Sequence, residues 1–184
     1  MFNKSFEEMG VPAGYGFRQM LFNPSANFIV IQTNSAGRPW RPERLFFRHV
    51  ASLNYRSVGA PGDLTSQEYP FVHPAKPLLA YNAMLHRFIV EPDGKERLSG
   101  NWESLSIFDL ETGTEVAAVT PSTLRLPSGI VRGWIASIVA FSDEGLFVTA
   151  GLSEDAARMD YFVSHVDYHE SILKPIAALP ATFI

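Results

Sequence analysis

His165, Asp167 and His169 alternate along the chain, so on an extended strand all three share one face, as imidazole and carboxylate ligands of a metal ion could. The histidine spacing matches no zinc pattern, and a fourth ligand is missing. Aligned with Ile107–Thr112, Asp167 falls on Asp109, and His169 falls inside the turn that follows. An aspartate that opens a turn accepts hydrogen bonds from the turn's own backbone. Turn capping is therefore the preferred reading, and no metal is expected. Other catalytic signals are sparse. There is no cysteine, no Gly-x-Ser-x-Gly and no His-Glu-x-x-His. Asp143-Glu144 and Glu154-Asp155 are adjacent carboxylates, but both sit in polar, turn-like stretches that should face solvent. Gly10, Gly14 and Gly16 lack the preceding strand and following helix of a phosphate-binding loop. No catalytic residue is assigned and no cofactor is expected.

Binding chemistry is better represented. Arg38-Pro39-Trp40-Arg41-Pro42-Glu43-Arg44 combines the residue types most enriched in binding hot spots with prolines that limit the entropy lost on docking. Between Ala36 and Val58 the chain carries five arginines (38, 41, 44, 48 and 56) against one acid, Glu43, although the whole protein has a net charge of −4. A second cluster, His86, Arg87, Arg97 and Trp102, lies in what reads as the corresponding loop of the next unit. The competing account tucks Trp40 and Trp102 between blades and leaves the arginines solvated or paired with Glu43 and Glu103. The binding reading takes Arg38, Trp40, Arg41, Arg44, His86, Arg87 and Trp102 as contacts to an acidic or phosphate-bearing partner.

These residues must be positioned by strands. Phe22-Asn23-Pro24-Ser25-Ala26-Asn27-Phe28-Ile29-Val30 is echoed by Val72-His73-Pro74-Ala75-Lys76-Pro77-Leu78-Leu79-Ala80, and again by Phe141-Ser142-Asp143-Glu144-Gly145-Leu146-Phe147-Val148. Each reads as the end of a strand, a tight polar turn and a second apolar strand, with a third strand downstream. Units are expected at about 17–58, 66–119 and 134–173, in a single all-β domain covering 1–184. In the second unit a long loop is expected between Ala83 and Leu105, with Leu105–Leu110 as the outer strand. Ser5 and Glu8 form a capping-box pattern, which predicts a short N-terminal helix broken by Gly10 and Pro12.

Phe141-Ser142-Asp143-Glu144-Gly145 resembles the turn between the inner strands of WD-repeat and TolB-like β-propeller blades. Ile107-Phe108-Asp109-Leu110-Glu111-Thr112-Gly113 resembles the end of their outer strand, and His165-Val166-Asp167 is a looser copy. The first unit departs from the pattern, with Arg48-His49-Val50 after Leu45-Phe46-Phe47 and no matching Asp. The resemblance implies an all-β fold of about three antiparallel propeller-like blades, partial or open, because closed propellers use about four to eight. Its open strand edges need cover, from a second copy, another protein or the tail Ile176–Ile184, in which Pro180 suits an edge.

Composition narrows the function classes. At 46% hydrophobic and 18% charged residues, the chain is that of a globular domain. Its mild acidity makes nucleic acid an unexpected partner. No apolar run approaches the roughly 20 residues of a membrane helix, and Glu7 and Glu8 oppose a signal peptide. A soluble, cytoplasmic, non-catalytic protein-interaction module is expected, of immunity, antitoxin or adaptor type. The alternative is a small-ligand protein or hydrolase-like enzyme with a pocket near the blade axis, where Asp109, Asp167 and the histidines would be its polar groups.

Overall fold

A computed structural model of the protein describes residues 5–35, 44–58, 65–90, 92, 96–120, 123–155 and 157–180. It is all-β. Sheet one contains β1 (Tyr15–Asn23), β2 (Phe28–Ser35), β3 (Arg44–His49) and β4 (Arg56–Ser57). Sheet two contains β5 (Thr65–Val72), β6 (Leu78–Val90), β7 (Glu96–Asp109) and β8 (Thr114–Val119). Sheet three contains β9 (Arg132–Ser142), β10 (Gly145–Ser153), β11 (Asp160–Asp167) and β12 (Ile172–Ala178). Within each sheet, sequential strands pair antiparallel in chain order, so each is a four-stranded meander. The three form open, propeller-like blades and do not close into a barrel.

Side-chain alternation explains how the blades stack. Along β10, Leu146, Val148, Ala150 and Leu152 are buried, while Phe147 and Thr149 between them are half-buried. Sheet two is apolar on both faces because it lies between the other two. Leu79, Tyr81, Phe108 and Leu110 pack on Phe28, Val30, Leu45 and Phe47 of sheet one. Ala80, Leu105, Ile107 and Val119 pack on Ile138, Leu146, Val148 and Val166 of sheet three. The inner strands β1, β5 and β9 approach one another along the axis.

Three expectations need correcting. The strand Leu105–Leu110 is not outermost: β8 lies outside it, and β4 and β12 hold the same place in the other sheets. Pro175 sits in edge strand β12, where a missing N–H is tolerated. The long loop expected after Ala83 is instead the body of two strands, of 13 and 14 residues, paired from Leu78↔Asp109 to Val90↔Glu96. Finally, the N-terminal helix is a single turn. Ser5 N–H donates to Glu8 Oε2 at 2.7 Å and Glu8 N–H to Ser5 Oγ at 3.3 Å, as in a capping box. Gly10, at φ +91°, then turns the chain away, and Val11 N–H returns to Phe6 O at 2.9 Å. This turn is held down by Tyr55 N–H donating to Met9 O at 2.7 Å. Phe6, Met9, Val11 and Tyr15 thereby cover Ile29, Ile31 and Phe46, the face of sheet one turned away from sheet two.

Candidate functional site

The three echoed turns lie side by side on one rim of the stack, each bound to the next. Asn23 is fully buried, and its Oδ1 accepts the Ala26 N–H at 2.8 Å within its own turn. Its Nδ2 donates to His73 O at 2.7 Å and Lys76 O at 2.6 Å in the next turn. Only this amide orientation puts the donors on the two carbonyls and the acceptor on the N–H. Ser25 Oγ adds a bond to Pro74 O at 2.5 Å.

His73, 1% exposed, repeats the arrangement in imidazole form. Its Nδ1 accepts N–H groups from Ala75 at 3.0 Å and Lys76 at 3.1 Å, which leaves the proton on Nε2. Nε2 faces the Ser142 backbone and stands 3.6 Å from Asp143 Oδ1, while the ring meets Phe141 edge-on. Burial holds His73 below its ordinary pKa, against the opposing pull of Asp143. Asp143 is not merely solvated: its Oδ1 lies 2.6 Å from Lys76 Nζ, a hydrogen bond that lowers the aspartate's pKa and raises the lysine's. In the third turn, Ser142 Oγ accepts the Glu144 N–H at 3.2 Å. These bonds fix blade to blade. Sequence reasoning did not single out Asn23 or His73, although both open the echoed turns and are polar where strands end.

Because these turns define one rim, the β2–β3, β6–β7 and β10–β11 connections leave from the other. Arg38, Trp40 and Arg41 lie in the segment 36–43 and fall outside the described residues. Arg44 starts β3, with its carbonyl accepting the Thr33 hydroxyl at 3.1 Å. His86, Arg87 and Trp102 are on strands and not in a loop: the ladder sets Leu85 against Trp102, His86 against Asn101 and Arg87 against Gly100. Among the described residues, β5 pairs with β6 as far as Leu85, and β8 with β7 as far as Leu105. Beyond those points, among the described residues, β6 and β7 pair only with each other, as a two-stranded arm. The Glu91-Pro92-Asp93-Gly94 run between the strands is the turn signal that reveals it. Arg48 and Arg56 serve sheet one elsewhere. Arg48 Nη1 donates to Val50 O at 3.1 Å and Ser52 O at 2.6 Å, and the Arg56 guanidinium sits 4.6 Å from the centre of the Phe47 ring.

Near the axis lies a groove of about 400 Å³ lined by Arg18, Gln19, Leu21, Gln32, Pro70, Phe71, Val72 and Ile138, in which Gln19 Nε2 donates to Gln32 Oε1 at 2.6 Å. Asp109, Asp167 and the histidines are absent from that lining. Asp109 Oδ1 accepts N–H groups from Glu111 at 2.7 Å and Thr112 at 3.1 Å. Asp167 Oδ1 accepts those of His169 at 3.2 Å and Glu170 at 3.1 Å. His165 packs edge-on against Phe147. Among the described residues, no three His, Cys, Asp or Glu side chains gather as metal ligands would. Among the described residues there is no helix long and apolar enough to cross a membrane. Compared with protein-family models, curated proteins and solved structures, the chain gives no match.

Proposed function

We propose that this chain is a non-catalytic protein-interaction module, built from blades of the WD-repeat or TolB-like kind, that presents one rim to another protein. One observation carries the reading: the Arg- and Trp-rich connection from β2 to β3 leaves the same rim as the β6–β7 arm, which holds His86, Arg87 and Trp102. The other rim is occupied by bonds between blades. Arginine forks at positions 38, 41 and 44 suit a carboxylate- or phosphate-bearing surface, and Trp40 supplies an apolar anchor. Photo-crosslinking tests this directly. A crosslinker at position 40 should capture the physiological partner in native cells, and one at position 25 on the opposite rim should not. Equal capture from both, or capture from position 25 alone, removes the proposal.

A further inference from the structure

The middle one of the three echoed turns, Pro74-Ala75-Lys76, is tied to the blades on both sides and is shaped by one imidazole. His73 Nδ1 accepts the Ala75 and Lys76 N–H groups at 3.0 and 3.1 Å, a role open to it only while it carries no proton. Toward sheet one, the His73 and Lys76 carbonyls accept from Asn23 Nδ2 at 2.7 and 2.6 Å, and the Pro74 carbonyl accepts from Ser25 Oγ. Toward sheet three, Lys76 Nζ reaches Asp143 Oδ1 at 2.6 Å. This turn can move without the strands behind it. Pro74, Ala75 and Lys76 are exposed, and the bond from His73 N–H to Leu78 O, at 2.8 Å, closes the β5–β6 hairpin behind them.

We infer that this turn is a proton-released latch: a second proton on His73 drives residues 74–76 outward and loosens their bonds to both neighbouring blades, while the sheets stay folded. The proton on Nδ1 turns an acceptor into a donor that faces two N–H groups. Rotating the ring by 180° puts a C–H in the same place and restores no acceptor. Among the described residues, Asp143 and Lys76 are the charged groups acting on the ring. Asp143 Oδ1, 3.6 Å from Nε2, favours the imidazolium, and Lys76 opposes it. These two pair with each other, so their pulls offset and burial of the ring decides. From the β11–β12 turn, Tyr168 lies against Phe141 and acts on Lys76, with His169 against its far side. Sheet one meets the turn with the uncharged Asn23 and Ser25. Opening admits water to the ring, which then takes the proton at its ordinary pKa of about 6.5. A single proton promotes the opening by up to about tenfold per pH unit below that point. The latch is independent of the partner proposed above, which meets the other rim.

Amide hydrogen exchange of the full chain, read by NMR between about pH 7 and 5 and corrected for intrinsic rates, tests the inference. The Ala75 and Lys76 amides should be at least about tenfold less protected than those of central strand β10, because they open without it. Their protection should fall by up to about tenfold per pH unit below about 6.5. His73→Asn, which keeps a side-chain acceptor that does not titrate, should hold that protection level across the range. His169→Ala should respond as the wild type does. Ring 15N signals of the wild type add a measurement that needs no variant: closed His73 should carry its proton on Nε2 alone. Turn amides as protected as β10 overturn the inference, since the turn then has no opening of its own. So does a pH response that survives in folded His73→Asn, or a doubly protonated His73 whose turn amides stay protected.

Discussion

Asn23→Ala should be among the most damaging single substitutions in this chain, although it removes no apolar core. The side chain is fully buried and makes three hydrogen bonds, one within its own turn and two across to the next blade. Each contributes about 1 kcal/mol net, and the His73 carbonyl loses a donor that its buried surroundings do not readily replace. The expected loss is therefore about 3 kcal/mol. That is a large fraction of the roughly 5–15 kcal/mol that holds a domain together. For a chain of this size it corresponds to a fall in Tm of roughly 6–12 °C. Asn23→Asp sharpens the test. It keeps the acceptor for Ala26 N–H but turns a carboxylate oxygen toward two carbonyl oxygens, so it should cost at least as much as alanine. Urea unfolding followed by circular dichroism measures both. A loss below about 1 kcal/mol for alanine, or a well-tolerated aspartate, would refute the account of the turns as the link between blades.

Asp109→Ala should cost about 1 kcal/mol in the same assay, because its carboxylate caps the β7–β8 turn, and should leave binding intact in the folded protein; a fully stable variant that no longer binds would make Asp109 a site residue. His73 gives a pH signature: its folded pKa lies below the ordinary 6.5, so the unfolded chain takes up the proton first and stability should fall as pH drops below about 6.5. His73→Asn, which can cap its turn as Asn23 does, should flatten that part of the pH–stability curve, and an unchanged slope would show that the proton is taken up elsewhere. Trp40→Ala should weaken partner binding by roughly 2 kcal/mol with Tm nearly unchanged, measured by calorimetry; a large fall in Tm with affinity intact would place Trp40 in the core.

The hairpins were the legible part of the fold. Strands β1–β2, β5–β6 and β9–β10 meet at the three echoed turns, because period-two apolar runs broken by Asn, Pro and Gly are local signals. The outer strands were not legible. β4 has two residues, β8 reads Thr-Glu-Val-Ala-Ala-Val and β12 contains a proline, so neither pattern nor propensity marks them, and pairing with a neighbour decides their conformation. The arm was missed because its polar residues, His86, Arg87, Ser99 and Asn101, suggest a loop. The Phe88-Ile89-Val90 run and the Pro-Asp-Gly turn argued for a hairpin. In the candidate site, Arg48 and Arg56 looked like part of one basic patch. Sequence proximity could not show that backbone carbonyls and the Phe47 ring had claimed them.

The N-terminal turn that lies across Ile29, Ile31 and Phe46 also limits how copies of this chain can add to one another. Blades stack face on face, so a molecule with bare apolar sheets at both ends could recruit copies head to tail without limit, and a head-to-tail contact that fails to close grows into a filament. Residues from Phe6 to Val11 occupy one of those ends with the chain's own side chains. A copy arriving there would have to displace this turn before its own sheet could reach Ile31 and Phe46, although Met20 and Phe22 on the same face stay exposed beside it.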